Sequence, residues 1–269
     1  TPDIVYAAAL GNAYGPQQER GIYRTTDGGK TWKRVLFVDE NTGASDLTMD
    51  PGDPEHLIAG FWQVDIKTWG RKSGGTGSGL FATSDGGDHW TRLTGHGLPP
   101  SPLGKIAVNF APSDGRRVYA LIETGQGGTL WRSDDGGADW IVANYSRLLN
   151  ERPHYYTRML VMPDNENEVY FPSNGISVTF DGGETTEHMA CPGFDPTAKT
   201  SLHHEEGGGD NHDMWADPTN PDRMMIGNDV GVMISTTRGR SFRWFRLPIA
   251  QMYHVATDNR IPYDVYGQM

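Results

Sequence analysis

The sequence contains one cysteine, Cys191, in 269 residues. A lone thiol excludes an internal disulfide framework and a cysteine-rich zinc site. It leaves the compartment open. No apolar run approaches the ~18 residues that a membrane-crossing helix needs. The first residues, Thr1-Pro2-Asp3, carry neither the basic nor the apolar region of a signal peptide. A start at Thr1 reads as a processed end or as part of something longer. Basic residues are scarce: Lys and Arg number 23 against 34 Asp and Glu, a formal net charge of −11. That balance argues against a nucleic-acid partner and does not favour an anionic membrane. No nucleotide-binding glycine fingerprint follows a strand and opens a helix.

Glycine, in contrast, is plentiful, at 35 residues, with 17 Pro and 8 Trp. Many tight turns between short strands follow from that composition. The turns recur. Thr25-Thr26-Asp27-Gly28-Gly29-Lys30-Thr31-Trp32 returns as Thr83-Ser84-Asp85-Gly86-Gly87-Asp88-His89-Trp90 and as Ser133-Asp134-Asp135-Gly136-Gly137-Ala138-Asp139-Trp140. Weaker copies are Thr179-Phe180-Asp181-Gly182-Gly183 and Ser235-Thr236-Thr237-Arg238-Gly239. Each follows a short apolar strand and precedes another. The Asp carboxylate can accept backbone N–H groups inside such a turn, Gly supplies the positive φ, and Trp caps the hairpin.

A second repeat alternates with the first. Asp50-Pro51, Ala111-Pro112, Met162-Pro163 and Asp217-Pro218 each open a turn that enters a strand. With the apolar run upstream, this makes four strands in about 50 residues, the size of a propeller blade. The expected fold is an all-β propeller of four-stranded antiparallel blades, forming one region over residues 1–269. Five modules are expected, at roughly 1–48, 49–105, 106–158, 159–213 and 214–255, with the start of another at 256–269.

The Ser/Thr-x-Asp-x-Gly-x-x-Trp turn resembles the Asp-box of BNR-repeat proteins. These include sialidases, glycoside hydrolase family 74 xyloglucanases, sortilin-type propellers and photosystem II assembly-factor-like propellers. The chain is similar to bacterial secreted or periplasmic BNR-repeat proteins often labelled glycosyl hydrolases. Residues 69–75, 155–158, 210–215, 227–231 and 257–263 carry that likeness. The resemblance implies a secreted or periplasmic setting and seven or eight blades. The remaining blades would come from a longer chain or another subunit, unless a small propeller closes by pairing its own ends. It also implies that Asp27, Asp85, Asp135 and Asp181 are structural, because a fold device recurs in each blade whereas an active site is one constellation.

Function is expected where the repeats differ. Three insertions stand out. The first holds Trp62, Asp65, Trp69 and Arg71, aromatic platforms beside polar groups, which suit sugar binding. The second holds Tyr155, Tyr156 and Arg158, which suit a hydroxylated or anionic ligand. The third runs from His203 to Trp215 and is rich in His and carboxylates. There Asp213, Asp210 and Glu206 are candidate acid/base carboxyls, and His212, Asp213 and Asp229 are candidate ligands for a divalent cation such as calcium. Three functions fit these features: a glycoside hydrolase-like protein acting on a polysaccharide or glycan, a sortilin-like propeller binding a protein or peptide without catalysis, and a unit of an extracellular assembly.

Overall fold

A computed structural model describes residues 2–125, 128–189, 210–229, 231–246 and 254–268. The first sheet contains β1 (Val5–Ala9), β2 (Gly21–Thr25) and β3 (Lys33–Leu36). The second contains β4 (Thr42–Met49), β5 (Leu57–Lys67), β6 (Gly70–Ser73), β7 (Gly79–Thr83) and β8 (Thr91–Leu93). The third is β9 (Ile106–Ala111), β10 (Asp114–Ile122), β11 (Leu130–Ser133) and β12 (Ile141–Asn144). The fourth is β13 (Leu160–Met162), β14 (Asn165–Pro172), β15 (Ile176–Thr179) and β16 (Glu187–Met189). The fifth is β17 (Asn211–Asp217), β18 (Asn220–Asn228), β19 (Gly231–Ser235) and β20 (Arg243–Arg246). A hairpin, β21 (His254–Thr257) with β22 (Val265–Gln268), comes last.

Every pairing is antiparallel between neighbours in sequence, apart from the small excursion at β6. The first strands of successive sheets meet: β1 touches β4, β4 touches β9, β9 touches β13 and β13 touches β17. This is a β-propeller, with the first strand of each blade innermost. The inner strands approach closely. A Cβ at Gly43 would lie 2.3 Å from the Leu10 carbonyl oxygen, so a side chain has no room there.

The core lies between blades, and strand periodicity explains it. Successive side chains point to opposite faces. In β10, Val118, Ala120 and Ile122 pack with Ile58, Leu80 and Trp131, whereas Tyr119 and Leu121 pack with Val161, Val169 and Phe171. Strands buried on both faces therefore read as continuous apolar runs instead of alternating ones.

Strand pairing draws two module edges differently from the sequence expectation. β4 hydrogen-bonds to β5, so residues 42–48 join the second sheet. β17 runs continuously across the expected edge at 213/214.

The aspartate turns share one hydrogen-bond pattern. Thr25 Oγ1 donates to Asp27 Oδ1 at 2.7 Å and accepts from Gly29 N–H at 3.0 Å, while Thr31 N–H donates to Asp27 Oδ1 at 2.9 Å. The same bonds recur around Asp85, Asp135 and Asp181. In the fifth copy a hydroxyl replaces the carboxylate: Ser241 N–H donates to Thr237 Oγ1 at 3.0 Å, and Gly239 N–H to Ser235 Oγ at 3.0 Å. The capping Trp differs between copies. Trp140 is buried and donates to the Gly137 carbonyl at 2.9 Å, while Trp32 is 45% exposed.

Strand direction sorts the loops into two ends. β4 descends into the Pro/Asp turn at 50–56, β5 rises, and β7 descends into the aspartate turn at 83–90. The two kinds of turn thus share one end, and Gly86 N–H donates to the Glu55 carbonyl at 2.9 Å. The first two insertions, and the third from Asp210 onward, fall at the other end. Among the described residues, no helix is long and apolar enough to cross a membrane.

Candidate functional site

At the insertion end, β5 outruns its partner β7. Its last residues pair instead with β6, Val64 with Ser73 through Lys67 with Gly70. This hairpin projects beyond the blade, with Thr68 and Trp69 as its two-residue tip. Trp69 is consequently 86% exposed. Asp65 pairs with Lys67 at 2.8 Å on the same projection.

Trp62 lies lower on β5 and is buried, so its ring is a support and offers no open face to a sugar. Its Nε1–H donates to Ser73 Oγ at 3.0 Å, and Ser73 Oγ donates to Glu123 Oε2 at 2.5 Å. The same carboxylate oxygen accepts the Lys105 N–H at 2.9 Å. The Lys105 ammonium stands 5.6 Å from the Trp62 ring centroid and donates to the Tyr155 carbonyl at 3.1 Å. A chain of contacts thus joins the first insertion to the second across the second, third and fourth blades. Ser73 and Glu123 also line a cleft of about 610 Å³.

Asp46, on the inner strand β4, faces this group. It accepts Val108 N–H and Leu47 N–H, each at 3.0 Å, and Arg158 Nη1 lies 3.9 Å from Oδ1. Burial raises the Asp46 carboxyl above the ordinary carboxylate range, against the opposing pull of the Val108 N–H and Arg158. Lys105 is pushed down to about 8, first by burial and then by Arg158. His154 is also lowered, by burial and then by Arg71.

The second and third insertions meet through aromatic rings. Tyr155 is about half exposed and makes edge contacts with Tyr156 at 5.0 Å and His212 at 5.3 Å. Tyr156 is buried, and its hydroxyl donates to Asp210, whose backbone has a positive φ of 60°. Burial and then this carboxylate raise the Tyr156 phenol well above its usual range.

His212 Nε2 lies 2.9 Å from Asp229 Oδ1, the one close pair in the expected cation set. Asp213 is exposed and accepts the Met214 N–H at 2.9 Å. Among the described residues, no three His, Cys, Asp or Glu side chains form a group able to hold a metal ion. These residues therefore do not fit calcium, which takes six to eight oxygens. Glu206 and Cys191 lie outside the described residues.

Asp46, Ser73, Lys105, Glu123 and His154 are absent from the set expected from sequence. Lys105 and Glu123 are single polar residues flanking apolar strands and Asp46 lies within β4, and no motif marks any of them. A carboxylate inside Ser45-Asp46-Leu47-Thr48-Met49, on a strand leading into a turn, was the available signal.

The fold and site define a β-propeller with a polar, aromatic-rimmed face on the end opposite its aspartate turns. No family model matches the sequence. It is 30% identical over 149 residues to a xyloglucanase from Paenibacillus sp, covering 51% of this chain and 13% of that protein. It is 28% identical over 152 residues to the xyloglucanase Xgh74A of Acetivibrio thermocellus, covering 51% of this chain and 16% of that protein. The matches thus span only a small part of the length of these relatives. Among solved structures, an ancestral GH74 enzyme superposes with a TM-score of 0.60 at 17% identity, over 87% of this chain and 29% of that one. YCF48 from Cyanidioschyzon merolae gives 0.51 at 14% identity, over 84% and 62%. These structures share the propeller fold.

Proposed function

We propose that this propeller is a carbohydrate-active module whose glycan ligand lies across the insertion end. The observation that carries the reading is Trp69, an indole 86% exposed at the tip of a strand projection. An exposed aromatic ring is costly in water, and the apolar face of a sugar covers it well. Tyr155 offers a second, half-exposed ring. Arg71, Asp65 and Arg158 supply hydrogen-bonding groups for hydroxyls. The likeness to xyloglucanases over half the chain supports a polysaccharide ligand. On this reading the protein works in a secreted or periplasmic setting.

For hydrolysis, two carboxyls with separated pKa values are required. Asp46, raised by burial, suits the acid, while Asp213 and the Tyr156-bound Asp210 are candidates for the base. The test is to incubate the protein with a polysaccharide panel and measure both binding and new reducing ends. Wild type is compared with Trp69→Ala, Asp46→Asn and Asp213→Ala. Binding that weakens in Trp69→Ala supports the ligand face. Cleavage abolished by Asp46→Asn with binding retained supports hydrolysis there. Absence of binding to every polysaccharide contradicts the reading.

A further inference from the structure

The protein is acidic overall, yet the insertion end gathers cations around His154. Lys105 Nζ donates to the Tyr155 carbonyl at 3.1 Å, and Tyr155 N–H donates to the Arg152 carbonyl at 2.7 Å. Ser73, two residues along β6 from Arg71, donates to the Glu123 carboxylate that also accepts the Lys105 N–H. Arg71, Lys105 and Arg152 all act electrostatically on the His154 imidazole, with Glu123 opposing them. The first insertion brings Arg71, the start of β9 brings Lys105, and the second insertion brings Arg152. Three separate loops thus deliver positive charge to one place on a chain of net charge −11.

Among the described residues, the neighbouring carboxylates are already engaged. Glu123 accepts from Ser73 and the Lys105 N–H. Asp46 accepts two backbone N–H groups. Asp65 pairs with Lys67, Asp210 accepts from Tyr156, Asp229 pairs with His212, and Glu151 accepts from Ser173. The cations are not matched in this way. Among the described residues, Arg71 and Arg152 are exposed, and neither guanidinium has a hydrogen-bond or ion-pair partner. Lys105 spends one of its three donors on a carbonyl. Arginine forks on a rigid scaffold select planar or tetrahedral anions.

Resting on the glycan reading above, we propose that the ligand is an anionic glycan whose carboxylate or sulfate groups are held by Arg71, Arg152 and Lys105. Trp69 and Tyr155 then stack on the sugar rings while the cations read the charge. Neutral chains would use only the aromatic half of the site.

The test compares an oligogalacturonate with its fully methyl-esterified form, which keeps the sugar backbone and removes the charge. A sulfated galactan oligosaccharide and a neutral xyloglucan oligosaccharide complete the set. Affinities are measured calorimetrically for wild type, Arg71→Gln, Arg152→Gln and, as a charge control on the opposite end, Lys30→Gln. These side chains are exposed, and unchanged unfolding midpoints confirm intact folding. The expected result is a preference of about tenfold or more for a charged glycan over the ester, the scale of one charge-assisted pair. That preference shrinks in both arginine variants and survives in Lys30→Gln. Whether the oligogalacturonate or the sulfated chain binds tighter identifies the anion. Equal affinity for acid and ester, or equal loss in Lys30→Gln, overturns the inference and leaves the glycan reading standing. Failure of all glycans to bind, including capture of only a carboxylate-ended peptide, overturns both.

Discussion

Arg238 and Glu168 meet across the junction of the fourth and fifth blades, Nε 3.0 and 3.1 Å from the two carboxylate oxygens and Nη2 2.9 Å from Oε2. Arg238 also grips Asp164 at 2.7 and 2.8 Å, and the Glu168 carboxylate accepts the Tyr170 hydroxyl at 2.9 Å. Asp164 and then Glu168 raise the arginine well above its ordinary range. Arg238 occupies the turn position that Gly28, Gly86, Gly136 and Gly182 fill in the other copies, with a φ of 54°. The fifth turn thus replaces the permissive residue with one that clamps the adjacent blade.

Two substitutions separate the strain from the clamp. Arg238→Ala keeps the strained backbone and leaves Glu168 buried without its partner, an expected loss of about 3 kcal/mol. Arg238→Gly relieves about 1 kcal/mol of left-handed strain and should cost less than the alanine variant. Urea unfolding checks the order. An arginine-to-glycine change more costly than the alanine change contradicts this account.

The aspartate turns set the acid limit of the fold. Asp27 is lowered to about 2 from an ordinary 3.8 by the Thr31 backbone and hydroxyl and by Thr25. Asp85, Asp135 and Asp181 are lowered as well, Asp85 first by the His89 N–H. Their folded-state values lie below the unfolded ones. The stability they contribute is therefore present above 3.8 and lost as pH falls through it towards 2. Thermal unfolding between pH 5 and pH 2 should show a steep decline. Asp85→Asn should flatten it, whereas Thr237, a hydroxyl in the same role, contributes no such pH dependence.

Trp62 and Trp69 are seven residues apart and should respond in opposite ways. Trp62→Ala empties a buried position and should destabilise the fold by about 3–5 kcal/mol. Trp69→Ala should leave stability within about 0.5 kcal/mol and weaken glycan binding by about tenfold. Unfolding midpoints and binding isotherms of the two variants provide the check.

Lys105 gives the anionic-ligand account a pH signature. Its ammonium is lowered to about 8, so charge is present below that value and lost above it. Affinity for a charged glycan should fall between pH 7 and pH 9, below the range where an unperturbed lysine titrates. Lys105→Arg, which stays charged, should remove the fall. Stability moves the other way: the unfolded state binds more protons between about 8 and 10.5, so this group makes folding more favourable as pH rises there. A fall in affinity that persists in Lys105→Arg contradicts the assignment.

Repetition made the fold legible. Four strands per period, and a turn that uses Asp, Gly and a hydroxyl in fixed places, leave little choice of architecture, and Asp27, Asp85, Asp135 and Asp181 form the expected bonds. The loop exceptions gather at one end of the molecule, where Trp69, Tyr155, Asp210 and His212 all lie. Depth was not legible. Trp62 and Tyr156 look like platforms in the sequence, yet each is buried under a neighbouring blade. Asp46, Lys105 and Glu123 come together only because inner strands from different blades converge, and no local pattern encodes that convergence. The Arg238 clamp was hidden for a related reason: a degraded repeat reads as lost function until its partners in the next blade are known.

The most direct test of the central claim compares two exposed tryptophans at opposite ends of the propeller. Trp69 stands on the insertion end and Trp32, 45% exposed, on an aspartate turn. Calorimetric titration of charged and neutral glycans into wild type, Trp69→Ala and Trp32→Ala should show binding weakened about tenfold in the first variant and unchanged in the second. Loss in Trp32→Ala with Trp69→Ala unaffected, or no glycan binding in the wild type, would contradict the account.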